Sequence, residues 1–300
     1  MCTTGRWRGT GRWRCRRAEP RRCWKSARRA LVAAGNTARI RLHFIEGMDP
    51  DSAPAIIALP GGRMEFHGAP MPRTWLKLGA HAKPGDAVLT LEAEPEGWRE
   101  GDEIIVTGGP RGDDERPTEE RRIAKIDGSR ITLDRALENE HWGEGEFKSE
   151  AANLSRSVIV ESADPGGVRG HTMYHWASAG RISYARFAHL GKKGALGRYP
   201  IHFHQAGDSM RGSSVIGAAV VDSGNRWVTI HGTHYLVVRD CIGYRSAYHG
   251  YFMEDATETY NLLDRNLAVQ ADDAERLPKQ ALPFDPNDGA GFGGRMARTR

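Results

Sequence analysis

The sequence predicts an all-β protein in which a small β-rich domain is followed by a β-solenoid, the parallel β-helix. Three observations carry this. No stretch beyond residue 40 keeps apolar residues at i, i+3, i+4 and i+7 over the length of a helix. Glycine, 36 of 300 residues, is scattered without a collagen-like period and favours turns and short strands over a helix bundle. In the second half, β-rich runs recur at the spacing of one solenoid coil. A β-sandwich is the alternative fold, but its hairpin spacing of about 8–12 residues fits the second half poorly.

Taken in order, the chain divides into a basic head (1–37), a β-rich domain (38–150), the solenoid coils (151–290) and a short tail (291–300). The net charge of +5 is unevenly placed. Residues 1–30 hold eleven Arg and Lys against the single acid Glu19, and the other 270 residues hold 32 basic and 37 acidic groups. An argument from basicity to nucleic acid therefore reaches only the head, not the body. Three readings of the head stand side by side. It is a disordered arm gripping phosphates and stacking bases, an export signal whose apolar stretch Ala30–Ala34 is too short, or text from a G+C-rich gene read outside its true frame. The last is preferred, and the Gly- and Arg-rich tail is read the same way. Three of the four cysteines (Cys2, Cys15, Cys23) lie in the head, so the body holds Cys241 alone and no internal disulfide. No apolar run of about 18 residues is present to span a membrane as a helix.

Residues 55–59, 64–66, 87–91, 103–107, 121–126 and 130–133 read as strands, with turns at Gly85-Asp86, Gly101-Asp102 and Asp127-Gly128. Further on, similar runs start at Val158, Ile182, Val215, Leu236 and Asn261, separated by 24, 33, 21 and 25 residues. A second series, Ile201-His-Phe-His, Val228-Thr-Ile-His and Tyr251-Phe-Met-Glu, is spaced by 27 and 23. Its first and third positions are all apolar (Ile201, Val228, Tyr251, then Phe203, Ile230, Met253) and face the core by strand alternation. The second and fourth positions then face outward: His202, Thr229 and Phe252, then His204, His231 and Glu254. A line of titratable groups on one outer face is unusual for a purely structural coil.

Three motifs, Arg198-Tyr-Pro-Ile-His-Phe-His204, His231-Gly-Thr-His234 and His249-Gly-Tyr-Phe-Met-Glu-Asp255, resemble in order and spacing the central motifs of the cell-migration-inducing hyaluronidase family. The segments Met64–Gly68, Trp75–Leu78, Gly97–Val106 and Thr118–Ile123 look like the glycine-eight domain that precedes them. The resemblance covers about residues 38–290. It implies a right-handed parallel β-helix, secreted or displayed at the cell surface, that binds or depolymerises hyaluronan or a similar acidic polysaccharide. It also implies calcium, since some members are linked to calcium-dependent depolymerisation while others are not catalysts. The chain departs from the family pattern at the start of the glycine-eight domain, at Ala256 after the Glu-Asp pair, and in the later coils expected beyond Phe292.

Six of the twelve histidines lie between His189 and His249. Such a surface can serve acid–base catalysis near neutral pH or bind zinc, whereas calcium takes oxygen ligands and would suit Asp113 to Glu115, Asp208 or Asp255. Glycoside hydrolysis generally needs two carboxyl groups, with Glu254, Asp255 and Asp208 at hand. A β-elimination would instead use a histidine base and an arginine against the uronate carboxylate. The expected catalytic groups are therefore His202, His204, His231, Glu254 and Asp255. Arg198, Tyr199, Asp208, Arg226, His234 and His249 are the expected substrate contacts. Arg198 leads them, because its fork can pair a uronate carboxylate. His204, His231 and Glu254 should form one ladder, with the carboxylate raising the histidine pKa values and mutual repulsion lowering one. Lone surface histidines such as His189, and Asp222, Asp240 and Asp264 at coil ends, read as structural. A non-catalytic glycan-binding or adhesion module and a polysaccharide lyase are the alternative functions.

Overall fold

The computed structural model describes residues 32, 33, 35–108, 118–272 and 289–294; the readings made of residues 1–31 and 295–300 lie outside them. Among the described residues there is no α-helix, only a 3-10 turn at Asp208–Met210. Three parallel sheets stack coil upon coil. The first wall is Ala38–Leu42, Val158–Ser162, Ala185–Ala188, Ala219–Ser223, Ile242–Ser246 and Leu267–Ala271. The second, which we call the histidine wall, is Ala55–Ala58, His171–His175, Ile201–Gly207, Val228–Thr233, Tyr251–Met253 and Phe292–Gly294. The third is Arg63–His67, Ala179–Ser183, Ser214–Ile216, Val237–Arg239 and Leu262–Asp264. Every neighbouring pair in these walls is parallel, and each full coil places one strand in each wall. This is a β-helix.

Its interior is the alternate residues of the three walls. Val160, Phe187 and Val220 from the first, Ile201, Phe203, Val228, Ile230 and Tyr251 from the second, and Ile182, Val215 and Val238 from the third form one buried cluster. Each such side chain contributes about 1.5–3 kcal/mol on burial. Stacking repeats from coil to coil: Tyr174 lies on Phe203 with ring centroids 4.8 Å apart, and Tyr251 on Phe292 at 5.0 Å. The corner between the third and first walls is one left-handed residue, filled by Tyr184, Gly217, Asp240 and Arg265 in successive coils. Gly217 is required there, because a Cβ would stand 2.5 Å from the Tyr184 ring.

Three expectations about organisation change. The runs beginning at Val158 and Ile182 belong to different walls, so there are three strand series, not two. Moreover, 38–150 is not one domain: Ala38–Leu42, Ala55–Ala58 and Arg63–His67 are the first coil of the β-helix. The antiparallel sheet is inserted after that coil, in the order Trp75–Lys77, Glu150–Asn153, Glu103–Val106, Glu119–Asp127, Arg130–Leu133, Val88–Thr90. Phe292–Gly294, expected in a structureless tail, pairs with Tyr251–Met253 as the last strand of the histidine wall.

Alternation also docks the inserted domain. Ile104, Val106 and Ala151 face its own core, while Ile105, Ala152 and Leu154 pack against Ala219, Val221, Ile242 and Tyr244 on the outer face of the first wall. Around that contact Arg186 meets Glu103 at 2.7 Å, and Glu120 receives both the Tyr244 hydroxyl (2.9 Å) and Arg245 (2.7 Å). The inserted domain covers the first wall and leaves the histidine wall to other surroundings.

Candidate functional site

The outward residues of the histidine wall form two rows, set by the parallel register. One runs Ile57, Met173, His202, Thr229, Phe252. The other runs His175, His204, His231. Glu254 extends the second row, because its N–H donates to Ile230 O at 2.9 Å directly after the Ile230–Met253 pair. His175 stacks on His204 (5.2 Å, 10° between planes), and His204 meets His231 edge to face at 4.7 Å. The ladder expected of His204, His231 and Glu254 is thus present in register.

The face is not open along its length, as alternation alone suggested. His202, Thr229 and Phe252 point outward yet are buried. Residues 191–200 and 224–227 fold over them, and the cover consists of residues expected to touch substrate. Tyr199 is fully buried, its hydroxyl accepts from Arg226 Nη1 at 2.8 Å, and its ring lies 4.8 Å from His202. Arg226, 3% exposed, sits 3.8 Å over the Phe252 ring and 3.7 Å from Glu254 Oε2. His249 is buried, stacked on Phe252 at 5.1 Å, and accepts from Ala290 N. These three position the site from beneath and do not reach a ligand. Asp208 is exposed on the 3-10 turn beside Arg211 (3.6 Å), and His234 accepts from Thr259 N; neither lines the groove.

What remains open is a groove of about 370 Å³, lined by His171, His175, His202, His204, His231 and Glu254, with Arg198 and Leu196 on one side and Ile57 and Leu59 on another. Arg198 is tied through Nε to Asp51 O at 2.9 Å. Lys192 braces the covering loop by donating to Ala53 O and Arg169 O, and burial lowers its pKa to about 8. Asp255 lies 2.9 Å from His231 Nε2, within ion-pair distance. His171 and His175 were missed because 171–175 was not aligned with the second series; His175 lies 29 residues before His204, one coil away.

Burial sets the electrostatics. It lowers His204 to about 4, His171 to about 3 and His202 well below its ordinary value, with neighbouring imidazoles adding to the shift at His204 and His202. Of the pair His204 and His231, one was expected to be lowered by mutual repulsion; His204 is lowered, with burial as the larger cause and His231 the next. Four buried atoms on residues that line the groove lack a hydrogen-bond partner among the described residues: His171 Nδ1, His202 Nε2, His204 Nδ1 and Glu254 Oε2. An unpaired buried polar atom costs about 1–3 kcal/mol, so four in one place mark this groove out.

For calcium the donor set does not fit. The one group of three or more His, Cys, Asp or Glu side chains gathered closely enough to hold a metal, among the described residues, is His202, His204 and His231, and imidazole nitrogen is not a calcium ligand. Asp208 and Asp255 are engaged by Arg211 and His231. Asp113 to Glu115 lie outside the described residues. No helix of the described residues is long and apolar enough to cross a membrane.

Residues 167–286 match the family model described as the CEMIP β-helix. Human fibrocystin-L is 31% identical over 265 residues, covering 71% of this chain and 6% of that protein. A G8 domain-containing protein of Dictyostelium discoideum is 30% identical over 219 residues, covering 71% of this chain and 15% of its own length. The chain spans less than a fifth of such curated relatives. Among solved structures, a tailspike protein of Pseudomonas phage LKA1 aligns over 79% of this chain and 55% of its own, with 9% identity and a TM-score of 0.25.

Proposed function

The chain belongs to the CEMIP/G8-type family, and on that premise we propose that it works outside the cell, binding an acidic polysaccharide along the histidine groove and cleaving it. Hyaluronan is the first candidate. The observation that supports this most is the gathering of buried atoms without hydrogen bonds, His202 Nε2, His204 Nδ1 and Glu254 Oε2, on side chains that line the open groove. Polysaccharide cleavage needs groups that exchange protons with a glycosidic oxygen or a ring carbon. Glu254 inside the groove and Asp255 against His231 supply the two carboxyl groups of glycoside hydrolysis. Arg198 supplies the positive charge a uronate carboxylate pairs with.

The test is incubation of the chain with hyaluronan and with chondroitin, followed by sizing of the products. Shortened chains from the wild type and none from Glu254→Gln are expected. Ultraviolet-absorbing unsaturated ends would turn the reading to a lyase. Binding without shortening would reduce it to a glycan-binding module, and neither would end it.

A further inference from the structure

We propose that His202, His204 and His231 form a binding site for a zinc-class transition metal ion at the floor of the groove, with one coordination position turned toward the bound chain. The inference deepens the reading of this groove but rests on its own geometry. One nitrogen from each of the three side chains lies within 4.8 Å of the others. Tetrahedral zinc with bonds of about 2.0–2.1 Å sets its nitrogens about 3.4 Å apart, a closure that small ring rotations supply.

Hydrogen bonding decides which atoms face inward. His202 Nδ1 lies 2.9 Å from Gly197 O, and a carbonyl only accepts, so Nδ1 carries the proton and Nε2 presents a lone pair. That Nε2 is buried and unpartnered, in a side chain 1% exposed. His231 Nε2 lies 2.9 Å from the Asp255 carboxylate, an ion-pair contact that holds this ring from outside the cluster. A ladder that merely satisfied itself would pair its buried ring nitrogens, and here His202 Nε2 and His204 Nδ1 are both without a partner. What these inward nitrogens lack is an electron-pair acceptor. His204, whose Nδ1 is likewise buried without a partner, completes the set.

The surroundings are those of a metal centre. A backbone carbonyl and a carboxylate orient two of the imidazoles from behind, as outer partners of ligating histidines do. Glu254 Oε2, without a hydrogen bond, lies 4.0 Å from His231 Nδ1 and 3.7 Å from Arg226 Nη1, beside the histidine cluster and not within it. Three imidazole nitrogens select zinc, cobalt or nickel and disfavour magnesium and calcium.

The experiment uses the full chain, stripped with chelator and dialysed against Zn²⁺ or Co²⁺. One equivalent of zinc per chain by elemental analysis is expected, together with intense visible absorption of tetrahedral Co²⁺. His204→Ala should lose both. Asp255→Asn, which removes an outer partner only, should weaken affinity about 10- to 100-fold. His81→Ala, in the inserted domain beside Glu140, should change nothing. Melting by circular dichroism checks each variant, and His231→Ala, at a partly exposed position, replaces His204→Ala if the latter does not fold. Equal zinc content in wild type and His204→Ala, or weak octahedral Co²⁺ bands, overturns the site. Polysaccharide cleavage is read separately: a bound metal without cleavage removes the proposed function and keeps the site, while cleavage by a chain that binds no zinc does the reverse.

Discussion

The molecule buries two clusters of histidine, carboxylate and arginine, and they differ in one respect. In the inserted domain Glu119, Arg121 and His141 are all below 7% exposed. Glu119 accepts from the backbone N–H of Glu138 and Asn139, from Asn139 Nδ2, from His141 Nε2 and from Arg121. His141 Nδ1 donates to Thr107 O, and Arg121 donates to Ala136 O. In the histidine wall His202, Arg226 and Glu254 are buried to the same degree, yet His202 Nε2, His204 Nδ1 and Glu254 Oε2 are left without hydrogen bonds. Burial is common to both clusters; pairing is not. A cluster that closes on itself holds two strands and a loop together, whereas one that leaves lone pairs facing a groove is built for something that arrives from outside.

The same substitution in each cluster tests the comparison most severely. Glu119→Gln turns an acceptor of several donors into a side chain that presents a donor to some of them. It should cost about 3–5 kcal/mol in urea unfolding, the usual penalty for breaking a buried charge pair. Glu254→Gln removes a carboxyl that the fold itself satisfies poorly, and should cost no more than about 1 kcal/mol while abolishing polysaccharide cleavage. Comparable destabilisation by the two would erase the distinction.

Acid sharpens it further. Burial alone would raise the pKa of Glu119, but the hydrogen bonds from Glu138, His141 and Asn139 win and hold it below the ordinary carboxylate value. A depressed folded pKa means the carboxylate stabilises the fold above the unfolded value, about 4.3, and that this support disappears as the pH falls through the folded value. Unfolding free energy of the wild type should therefore drop between about pH 5 and pH 3, and the drop should be shallower in Glu119→Gln. An identical slope in both proteins would show that Glu119 does not titrate as a paired group.

Two smaller effects follow at the surface. Arg198→Lys keeps the charge at the groove and loses the fork, so hyaluronan affinity should fall about tenfold, equivalent to about 1.4 kcal/mol, in a direct binding titration. Unchanged affinity would remove Arg198 from the groove chemistry. Another histidine–carboxylate group, His189 and Arg169 on Asp222 at 2.6 and 3.1 Å, is partly exposed. Asp222→Asn should cost less than about 1 kcal/mol, because water already screens the pair; a larger loss would mean that exposure does not rank these clusters.

Much of this was legible in the residues. The apolar first and third positions of Ile201-His-Phe-His204, Val228-Thr-Ile-His231 and Tyr251-Phe-Met-Glu254 face the core at five of six positions, and Met253 alone is only half-buried. Strand alternation is local, and a solenoid repeats it coil after coil, so side and register were readable without coordinates. The row His204, His231, Glu254 follows from the same repeat. His175 was equally within reach one coil earlier, but His171-Thr-Met-Tyr-His175 has a polar residue at both ends of the strand and does not look like its neighbours.

What the sequence by itself determined is therefore the strand, its face and its stacking, because each depends on residues within one coil and the next. What only the tertiary structure decided depends on segments far apart in the chain. Ala55–Ala58 pairs with His171–His175 across the whole inserted domain. Tyr199, Arg226 and His249 were expected at a ligand because motif residues on an outer face read as contacts, yet all three are buried, the first two in covering segments and His249 stacked on Phe252. The tautomer of His202 is set by Gly197 O, and His231 is held by its ion-pair contact with Asp255. Pattern records which side of a strand a residue occupies; whether that side meets solvent, a loop or another sheet is decided by chain that packs there from elsewhere, and no spacing within the strand encodes it.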